Sequence, residues 1–544
     1  MQRWARAAIL AAVVVGCVLL LPFLRPSLQG SNALQAQAVR YDGKDNLAID
    51  GPGPSQHLEA EEPDSRNIEN IRGDYRLARG SNGGEQAANS SGLTQRLTER
   101  QQAVVEMFRH AWKGYTQFAW GKDELLPLTK EGTTSYGMGL TIIDSLDTLW
   151  LMGLTEEFQE ARDWVAQSLD IAGNHREVSL FETNIRVLGG LLAAYHLSKD
   201  AIFLEKAVEL GDRFLPAFKT PTGIPYGTVV LNQDWPKKTA KVACIAELGS
   251  LQLEMRDLSH STGDSKYQTA ADRALDVVQS HMTSAIATQE VYIESGVPKP
   301  TEMNVGARTD SYYEYLIKQW VQSGKNEEKI REWYERAANA IISKLIKYSR
   351  PNHMAFPAKL YSPDRTDFRS SMDHLSCFLP GMLALGYLHG FPKSHLDVAR
   401  NLTHTCYQLY HQSPSGLSPE EVIFYTHPLS GTDFNSVTPV YMLRPETVES
   451  LFVLHRVTRD SVYQEWGWEI LQALKKHCQV RSGGYTTLRN VNSPVPKKTN
   501  KMESFFLAET LKYLFLLFAD DDHLLPLDRW VFNTEAHPLP VWIS

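Results

Sequence analysis

The sequence predicts an all-α domain in which helix pairs form a closed ring, and three observations support this prediction. After about residue 95, apolar residues recur with helical periodicity almost throughout, and no stretch is rich enough in strand-forming residues to build a main sheet. Segments that are apolar on nearly every face alternate with amphipathic segments, seven of each. Similar junctions between helices recur about 65 residues apart, which is typical of a repeat of helix pairs.

The buried helices are predicted in segments such as 141–154, 180–197 and 503–518. The amphipathic helices are predicted at 101–118, 156–169, 201–215, 266–282, 327–348, 395–411 and 462–477. The junctions before three of them place Asp200, Asp264 and Asp460 ahead of an aromatic residue and a helical run. Such a repeat can close into a ring or continue as a solenoid. Buried helices that are apolar all round favour the ring, with seven helices inside and seven outside.

Residues 7–24 form an uncharged apolar run that begins after Arg3 and Arg6 and ends before Arg25. A run of this length is about the shortest helix that spans a bilayer. Because the basic side normally stays in the cytoplasm, we predict a cytoplasmic tail at 1–6, a transmembrane signal anchor at 7–24 and a single-pass type II orientation. A cleaved signal peptide is the alternative, but its apolar region is usually shorter, roughly 7–15 residues.

Residues 25–95 contain only two aromatic residues, Tyr41 and Tyr75, no cysteine, and many Gly, Ser, Asn, Gln and acidic residues. Such a segment buries too little apolar surface to offset the entropy lost on ordering. We therefore predict a flexible, disordered lumenal stalk at 25–95 and a folded domain at 96–544.

The charge of the chain excludes one class of partner. Its 55 Lys and Arg residues against 63 Asp and Glu residues give a net charge of −8. A nucleic-acid binder normally carries a basic field, so we expect no nucleic-acid partner.

Acidic residues occupy the first turn, or nearly so, of each predicted buried helix. They are Asp144, Glu182, Glu247, Asp310, Asp373, Glu446 and Glu503. Each one alone could simply cap backbone N–H groups and interact with the helix dipole, which contributes ~0.3–1 kcal/mol. In a closed ring, however, the inner helices run the same way and their starts surround one mouth. The carboxylates are then expected to converge on one cavity.

Converging carboxylates repel one another unless protons, arginines or a cation compensate their charge. Three arginines lie two to four residues from these acids and three further acids lie one or two turns deeper: Arg186, Arg308, Arg444, Glu314, Glu449 and Glu509. A carboxylate-lined mouth with aromatic residues indicates glycoside hydrolysis, in which one acid protonates the leaving oxygen and another activates water or attacks carbon. No His/Cys cluster has zinc spacing, so calcium is favoured over zinc. The alternative is a helical toroid that only binds glycans or partners.

Seven ordered stretches resemble those of the class I α-1,2-mannosidases, glycoside hydrolase family 47. They are GLTIIDSLDTLWLMGL, LFETNIRVLGGLLAAYHLS, GARTDSYYEYLIKQWV, MDHLSCFLPGMLALG, LRPETVESLFVLHRVT, KMESFFLAETLKYLFLLF and VFNTEAHPLP, and the similarity covers roughly residues 96–544. The resemblance implies an (α/α)7 barrel, a bound Ca²⁺, inversion at the anomeric carbon and removal of α-1,2-linked mannose from high-mannose N-glycans. It also implies a place in glycoprotein maturation and quality control, with Man9GlcNAc2 converted to Man8GlcNAc2.

The resemblance also implies roles for individual residues. Glu182 corresponds to the general acid, Glu446 to the general base and Asp310 to a third essential carboxylate, and the acid role has been argued for more than one of them. Residues implied to contact the substrate are Arg186, Arg308, Asp373, His374, Arg444, Phe505 and Glu509, with Phe505 stacking under the mannose ring.

By the same resemblance, Thr534 is expected to hold Ca²⁺ through its hydroxyl and backbone carbonyl. Glu247, Glu449, Glu509 and Glu535 are expected to orient the waters around the ion. The prolines of VFNTEAHPLP, with Trp530 and Trp542 nearby, predict a C-terminal hairpin that plugs the barrel, and His537 is expected to support this hairpin rather than bind metal.

Within the family, Arg308 resembles the endoplasmic-reticulum type, in which an arginine can fix one glycan branch through its fork of donors. Residues 285–305 depart from the pattern expected before the GARTDS motif, which leaves branch specificity open. Two alternatives remain: a Golgi-type enzyme with broader trimming, and a catalytically weak, lectin-like factor of glycoprotein quality control.

The remaining expectations concern covalent links and location. Cys17 lies in the apolar run, and the other four cysteines allow three full pairings. The family resemblance implies a disulfide between Cys377 and Cys406, with Cys244 and Cys478 free and buried. We expect the folded domain to be a lumenal monomer, anchored in the membrane of the endoplasmic reticulum or early Golgi.

Overall fold

Helices dominate the described structure, as the apolar periodicity predicts. The computed structural model describes residues 97–233, 240–362, 367–427, 431–520 and 523–542. The predicted tail, anchor and stalk lie outside these residues. Within the described ranges, no helix is both long enough and apolar enough to cross a membrane.

The longer helices of the described ranges are labelled in chain order. They are α1 Glu99–Ala119, α2 Leu140–Leu151, α3 Thr155–Ser168, α4 Gly189–Ser198, α5 Ala201–Phe214, α6 Gln252–Thr262, α7 Lys266–His281, α8 Asp310–Gln322, α9 Glu328–Ala340, α10 Leu379–Leu388, α11 Lys393–His411, α12 Glu446–Thr458, α13 Val462–His477 and α14 Leu511–Leu517. Shorter helical turns are Leu180–Glu182 and Ile245–Leu248 (α), Leu215–Phe218 and His374–Phe378 (3₁₀), and Thr183–Leu188, Ile341–Leu345 and Phe506–Thr510 (π).

The contacts between helices follow a simple rule. The even-numbered helices pack against one another in succession from α2 to α14, and the π turn that leads into α14 packs back against α2. Each odd-numbered helix packs on an even-numbered neighbour in the chain, except that α1 packs on α14. In α8, 12 of 13 residues are buried, whereas α3 buries 3 of 14. The even-numbered helices are therefore the inner ones, and the odd-numbered helices lie outside them.

The repeated junctions connect inner helices to outer ones. Helices α4, α6 and α12 are each followed directly by a residue with left-handed backbone. These residues are Lys199, Gly263 and Arg459. The next residue is in each case the aspartate that the sequence pattern identified, and its carboxylate accepts a hydrogen bond from the backbone N–H two residues later at 3.0–3.1 Å. The repeat is thus a helix stop followed directly by a helix cap.

Short antiparallel strands lie in the loops between helices. They are β1 Leu125–Leu126, β2 Glu131–Gly132, β3 Glu177–Ser179, β4 Thr228–Val230, β5 Val242–Cys244, β6 Thr288–Tyr292, β7 Pro298–Met303, β8 Ile346–Tyr348, β9 Ala355–Pro357, β10 Lys359–Leu360, β11 Phe368–Arg369, β12 Ser371–Asp373, β13 Glu421–Phe424, β14 Phe434–Thr438, β15 Trp530–Phe532 and β16 Pro538–Pro540. The largest described sheet has the order β11-β10-β7-β6-β5, and a second has the order β12-β13-β14. Strands of two to six residues are too short to produce a clear alternation, which is why the sequence pattern did not reveal these sheets.

The C-terminal hairpin pairs β15 with β16 in the register Val531 to Leu539. It contacts the inner helices α4, α6 and α8. Phe532 packs against Phe452 of α12 and Tyr513 of α14, with ring centres 5.7 Å apart in both cases. The hairpin is therefore surrounded by inner helices.

The disulfide expected from the family resemblance is present, between Cys377 and Cys406. It ties the 3₁₀ turn before α10 to α11. Cys244 and Cys478 are free, as expected, but only Cys478 is fully buried. Cys244 is half-buried, because it lies in β5 beside the mouth rather than in the core.

Candidate active site

Two inner helices are preceded by π turns at predicted site residues. The turn Thr183–Leu188 follows Glu182 and contains Arg186, and the turn Phe506–Thr510 follows Phe505 and contains Glu509. Single π turns are rare and occur frequently at functional sites. The distortion thus falls where the sequence analysis predicts chemistry.

Arg186 links several of the predicted acids. Its Nε donates to Glu182 Oε2 at 2.8 Å, and its Nη1 bonds Glu535 of the hairpin and lies 3.7 Å from Asp144. Burial opposes the charge of this arginine, but the surrounding carboxylates raise its pKa well above the usual value. Arg186 is therefore a fixed positive charge between the start of one inner helix and the hairpin.

Phe505 lies close to two arginines. The guanidinium carbons of Arg186 and Arg444 are 5.7 and 5.8 Å from its ring centre, within the range of a cation–π contact. Arg444 is held in turn by Glu420, whose Oε1 accepts from Nε at 2.8 Å and lies 2.7 Å from Nη2. Two arginines that are themselves held by carboxylates thus contact this aromatic side chain.

Glu446 is the first residue of α12, and His374 lies behind it. Nδ1 of His374 is 2.8 Å from Glu446 Oε2, and its Nε2 is 2.8 Å from the hydroxyl of Tyr410. Burial would raise the pKa of Glu446, but the hydrogen bond and charge of His374, together with Arg444, hold it below the usual value. The pKa is lowered because the carboxylate is stabilised as an anion.

His374 was expected to contact the sugar. In the structure its side chain is 1% exposed and both ring nitrogens have protein partners. These contacts show that His374 supports Glu446, and its contact with the sugar stays a prediction.

Asp310 is the first residue of α8 and has the opposite electrostatic environment. Burial, and then the charges of Asp373, Glu314 and Glu446, raise its pKa to about 8, although the backbone N–H of Ser311 opposes the shift. At neutral pH this carboxyl is largely protonated, whereas Glu446 is ionised. Two carboxyl groups with opposite protonation states therefore lie near each other at the mouth.

Asp373 ends β12 beside Asp310. Its Oδ1 accepts from the backbone N–H of Ser376 at 3.3 Å, and its Oδ2 is 3.3 Å from Lys359 Nζ. A Cβ at position 306 would lie 2.2 Å from this carboxylate, so the close approach requires Gly306. The loop before α8 thus fits tightly against the end of β12.

Glu247 and Arg308 lie on another side of the mouth. Burial and then the charge of Glu182 raise the pKa of Glu247, and the charge of Arg308 opposes this shift. The Arg308 side chain is 47% exposed and donates to Glu290 Oε1 at 2.7 Å. Arg308 therefore borders the mouth rather than its floor.

The deeper acids form a crowded group. Lys318 bonds Glu314 and lies 3.5 Å from Glu449. Burial, opposed by Lys318 but assisted by neighbouring carboxylates, raises the pKa of Glu449 to about 8. Burial and neighbouring carboxylates also raise the pKa of Glu509 well above the usual value. This part of the site therefore favours protons or a cation.

Glu535 belongs to the same group. Burial raises its pKa well above the usual value even though Arg186 opposes the shift. Its carboxylate thus connects the deep acids with Arg186 and Glu182 at the mouth.

Thr534 is at the apex of the hairpin, next to Glu535. Its backbone N–H donates to the hydroxyl of Tyr315 at 3.3 Å. Among the described residues, its own hydroxyl and carbonyl oxygens have no hydrogen-bond partner. These two hard oxygen donors, among carboxylates, match the ligand preference of calcium. No described group of three or more His, Cys, Asp or Glu side chains converges as metal ligands, so any cation here would rely on Thr534 and water.

Glu254 holds the apex of the hairpin in place, and the sequence analysis did not predict it as a site residue. It is fully buried in α6 and accepts hydrogen bonds from Tyr315 at 2.7 Å, Asn533 at 2.7 Å and Asn184 at 2.8 Å. Burial raises its pKa to about 7, although the three hydrogen bonds oppose this. Glu254 thereby joins two inner helices and the hairpin around Thr534.

The other side of the apex is held by a fully buried polar group. Lys512 Nζ lies 2.6 Å from Asp147 Oδ2 and donates to the carbonyl of Ala536 at 2.7 Å. His537 is 3.1 Å from Asp147 and 3.4 Å from Asp144. His537 therefore supports the hairpin, as the sequence analysis expected.

The contacts bring most predicted site residues into one continuous group. Glu503 is linked to this group through charge: it pairs with Lys501 at 2.6 Å, which also lies 3.3 Å from Glu124, and it interacts electrostatically with Arg444. Residues that the sequence analysis missed include Asp147, Glu254, Glu290, Glu420 and Lys512. One signal was available: Asp147 is a second acid, three residues after Asp144, in an otherwise apolar segment.

Hydrolysis of a glycosidic bond needs one carboxyl that keeps its proton and one that stays ionised. Asp310 and Glu446 have these two environments, and Glu182 adds a third carboxyl paired with Arg186. The ring of helices and this mouth therefore define a glycoside hydrolase.

Comparison with known proteins identifies the family. The family model described as glycosyl hydrolase family 47 matches residues 107–541. The chain belongs to this family.

Individual relatives agree with this assignment. The chain is 48% identical over 464 residues to the endoplasmic reticulum mannosyl-oligosaccharide 1,2-alpha-mannosidase of Homo sapiens. This alignment covers 84% of this chain and 66% of that protein. The Rattus norvegicus protein of the same name is 50% identical over 454 residues, and the alignment covers 82% of this chain and 68% of that protein. The chain thus spans about two thirds of the length of these relatives. The solved alpha-1,2-mannosidase from Trichoderma reesei superposes with a TM-score of 0.77 at 29% identity, covering 81% of this chain and 99% of that one.

Proposed function

We propose that the chain hydrolyses terminal α-1,2-linked mannose from high-mannose N-glycans. The observation that carries the proposal is the pair of contrasting carboxyls, Glu446 held ionised by His374 and Asp310 held protonated by burial. The names of its relatives, which are mannosidases of N-glycan processing, supply the sugar and the linkage.

In this proposal Glu446 is the general base. Its carboxylate takes a proton from the water that attacks the anomeric carbon, and His374 stabilises the anionic form from behind. Glu182 is the general acid that protonates the leaving oxygen, acting through a water, and Arg186 orients its carboxyl at 2.8 Å. Asp310 is the third essential carboxylate, and its raised pKa makes it a second candidate for the acid. Attack by water from the face opposite the leaving group inverts the anomeric carbon.

The other mouth residues position the sugar. Phe505, in contact with two arginines, offers an aromatic side chain on which a mannose ring can stack. Asp373, Arg444 and Glu509 surround the reacting carboxyls and can accept or donate hydrogen bonds to hydroxyls. Arg308 at the rim selects one branch, which favours a single product, Man8GlcNAc2.

The fit of the Thr534 oxygens supports calcium as the cofactor. Thr534 would hold the ion through its hydroxyl and carbonyl oxygens, with Glu247, Glu449, Glu509 and Glu535 orienting waters around it. When bound, Ca²⁺ supplies positive charge that compensates the deep carboxylates and can hold sugar hydroxyls. The hydrogen bonds of Glu254 and Asn533 keep the apex in place for this role.

The wider setting is also a proposal. The domain at 96–544 is an (α/α)7 barrel plugged by the hairpin and acts as a monomer in the lumen of the endoplasmic reticulum or early Golgi. Residues 7–24 anchor it in the membrane through the stalk at 25–95. Relatives named as endoplasmic reticulum enzymes support the compartment. A lectin-like role is the second candidate, and the contrasting carboxyls favour catalysis over it.

The test is incubation of the full chain with Man9GlcNAc2 and Ca²⁺, with the products read by mass. We expect the unchanged protein to release one mannose. Glu446→Gln and Glu182→Gln should release mannose at less than about one thousandth of the rate of the unchanged protein. Both substitutions keep the shape of the side chain. The affinity of the same variants for Man9GlcNAc2 reports whether the site is intact. Near-normal turnover in both variants would contradict the assigned roles, and glycan binding without turnover in the unchanged protein would favour the lectin-like role.

A further inference from the structure

We propose that Glu290, in strand β6, is a positioning residue that fixes the guanidinium of Arg308 and thereby determines which glycan branch is trimmed. This inference rests on the proposed function, since it concerns the choice of mannose and not its hydrolysis. Glu290 belongs to the 285–305 segment that departs from the pattern of the family and to which no role has so far been given.

The backbone of Arg308 is held firmly beside the mouth. Its φ is +77°, a left-handed conformation that a residue with a Cβ adopts only under constraint. Its carbonyl accepts from the backbone N–H of Ala246 at 3.2 Å and lies 3.5 Å from Cys244 Sγ. Arg308 is thus fastened to the strand β5 and to the turn that carries Glu247.

The side chain of Arg308 needs a separate constraint. It is 47% exposed, and a free arginine side chain keeps many rotamers that a bound glycan would have to restrict at a cost in entropy. The hydrogen bond from Nη2 to Glu290 Oε1, at 2.7 Å, removes much of this freedom before a ligand arrives. Among the described residues, Glu290 is the hydrogen-bond acceptor for this guanidinium, so other N–H groups remain available for sugar hydroxyls.

Glu290 itself is well placed to act as the constraint. It lies in β6, which is flanked by β5 and β7, and its partners in register are Cys244 and Lys299. Its second oxygen accepts from Lys299 Nζ at 2.6 Å, and its side chain is only 18% exposed. Because Cys244 pairs with Glu290 and also contacts the carbonyl of Arg308, the strand β5 fixes the distance between the two residues.

A plain surface ion pair would have the same contacts but a different consequence. Exposed ion pairs contribute little to the stability of a protein. Loss of such a pair would leave both turnover and branch choice unchanged. Loss of a positioning residue would change branch choice more than the hydrolysis of a short substrate, because a disaccharide has no branches to choose between.

The experiment compares three single variants of the full chain and the double variant that combines Glu290→Gln with Arg308→Leu. Glu290→Gln keeps the size of the side chain and removes its charge, Lys299→Met is the matched control on the other oxygen, and Arg308→Leu is the reference. The first readout is the selectivity ratio, which is the rate of release of the first mannose from Man9GlcNAc2 divided by the rate of release of further mannoses. The other two are the Man8GlcNAc2 isomer that is formed and kcat/KM for mannosyl-α-1,2-mannose.

We expect Glu290→Gln to lower the selectivity ratio about tenfold, because the neutral amide oxygen of glutamine holds the guanidinium more weakly than a carboxylate does. Arg308→Leu is expected to lower the ratio at least as far, and the double variant no further than Arg308→Leu. Lys299→Met should keep the ratio, and both Glu290→Gln and Lys299→Met should hydrolyse the disaccharide within about twofold of the unchanged protein.

Different results separate the possible failures. An unchanged ratio in Glu290→Gln, with a lowered ratio in Arg308→Leu, overturns the role of Glu290. An equal loss on the disaccharide shows a structural effect and also overturns it, as does an effect of Lys299→Met as large as that of Glu290→Gln. An unchanged ratio in Arg308→Leu overturns branch selection by this arginine. Absence of mannose release by the unchanged protein contradicts the proposed function itself.

Discussion

Replacement of His374 by leucine is the perturbation that most directly probes the electrostatics of the site. Leucine has a similar volume but cannot donate to Glu446 or carry charge. In the structure, His374 Nδ1 lies 2.8 Å from Glu446 Oε2, and the ring is buried. The change therefore removes one hydrogen bond and one favourable charge from the general base without opening the site.

The size of the effect follows from that contact. A buried hydrogen bond that involves a charged group contributes about 1.5–3 kcal/mol. One pKa unit corresponds to about 1.4 kcal/mol, so the pKa of Glu446 should rise by about one to two units in His374→Leu. Burial, the largest influence on this carboxyl, then acts with less opposition, and Arg444 and a backbone hydrogen bond remain to stabilise the anion.

The assay is the dependence of kcat/KM on pH with Man9GlcNAc2. The base acts when ionised, so activity falls as pH drops through its pKa, and a raised pKa moves this acid limb to higher pH by the same one to two units. Tyr410→Phe is the matched control: it removes the hydroxyl 2.8 Å from the other ring nitrogen and should shift the limb by less than about half a unit. An acid limb that stays in place in a folded His374→Leu protein would refute the electrostatic role of this histidine.

Two further predictions concern stability. Removal of calcium with a chelator should lower the thermal unfolding midpoint, because a ligand at 100 times its Kd stabilises by about 2.7 kcal/mol; Thr534→Ala should abolish this calcium-dependent shift in calorimetry, and an equal shift in both proteins would argue against the hairpin site. Lys512→Met should lower the free energy of unfolding by about 3–5 kcal/mol in denaturant titration, because it leaves Asp147 buried with its lysine partner removed. The double variant Lys512→Met with Asp147→Leu should recover part of that loss, and a double variant less stable than the single one would contradict the ion-pair explanation.

Much of the helical framework could be predicted because its signals are local. Helix α13 was predicted at 462–477 and is observed at Val462–His477, since its apolar face repeats with helical spacing over its whole length. The junction aspartates were recognised because a helix stop and cap use the same few residues each time. The pairing of Cys377 with Cys406 came instead from the family resemblance.

The features that were missed depend on contacts between distant parts of the chain. The π turn Thr183–Leu188 leaves the apolar pattern of its helix unchanged, so periodicity does not reveal it. Glu254 looks like an ordinary helical glutamate until Tyr315 and Asn533 are brought next to it by the fold. The contact of His374 with Glu446 was missed for the same reason, since 72 residues of chain separate the two side chains that lie 2.8 Å apart.

The central claim is hydrolysis of an α-1,2-mannoside by water activated at Glu446, with inversion. The most direct measurement is proton NMR of the mannose released in the first minutes after the full chain is mixed with Man9GlcNAc2 and Ca²⁺. The account predicts that β-mannose appears first and then equilibrates with the α anomer, and that Glu446→Gln releases neither. Initial release of α-mannose, or no release of mannose by the unchanged protein, would contradict it.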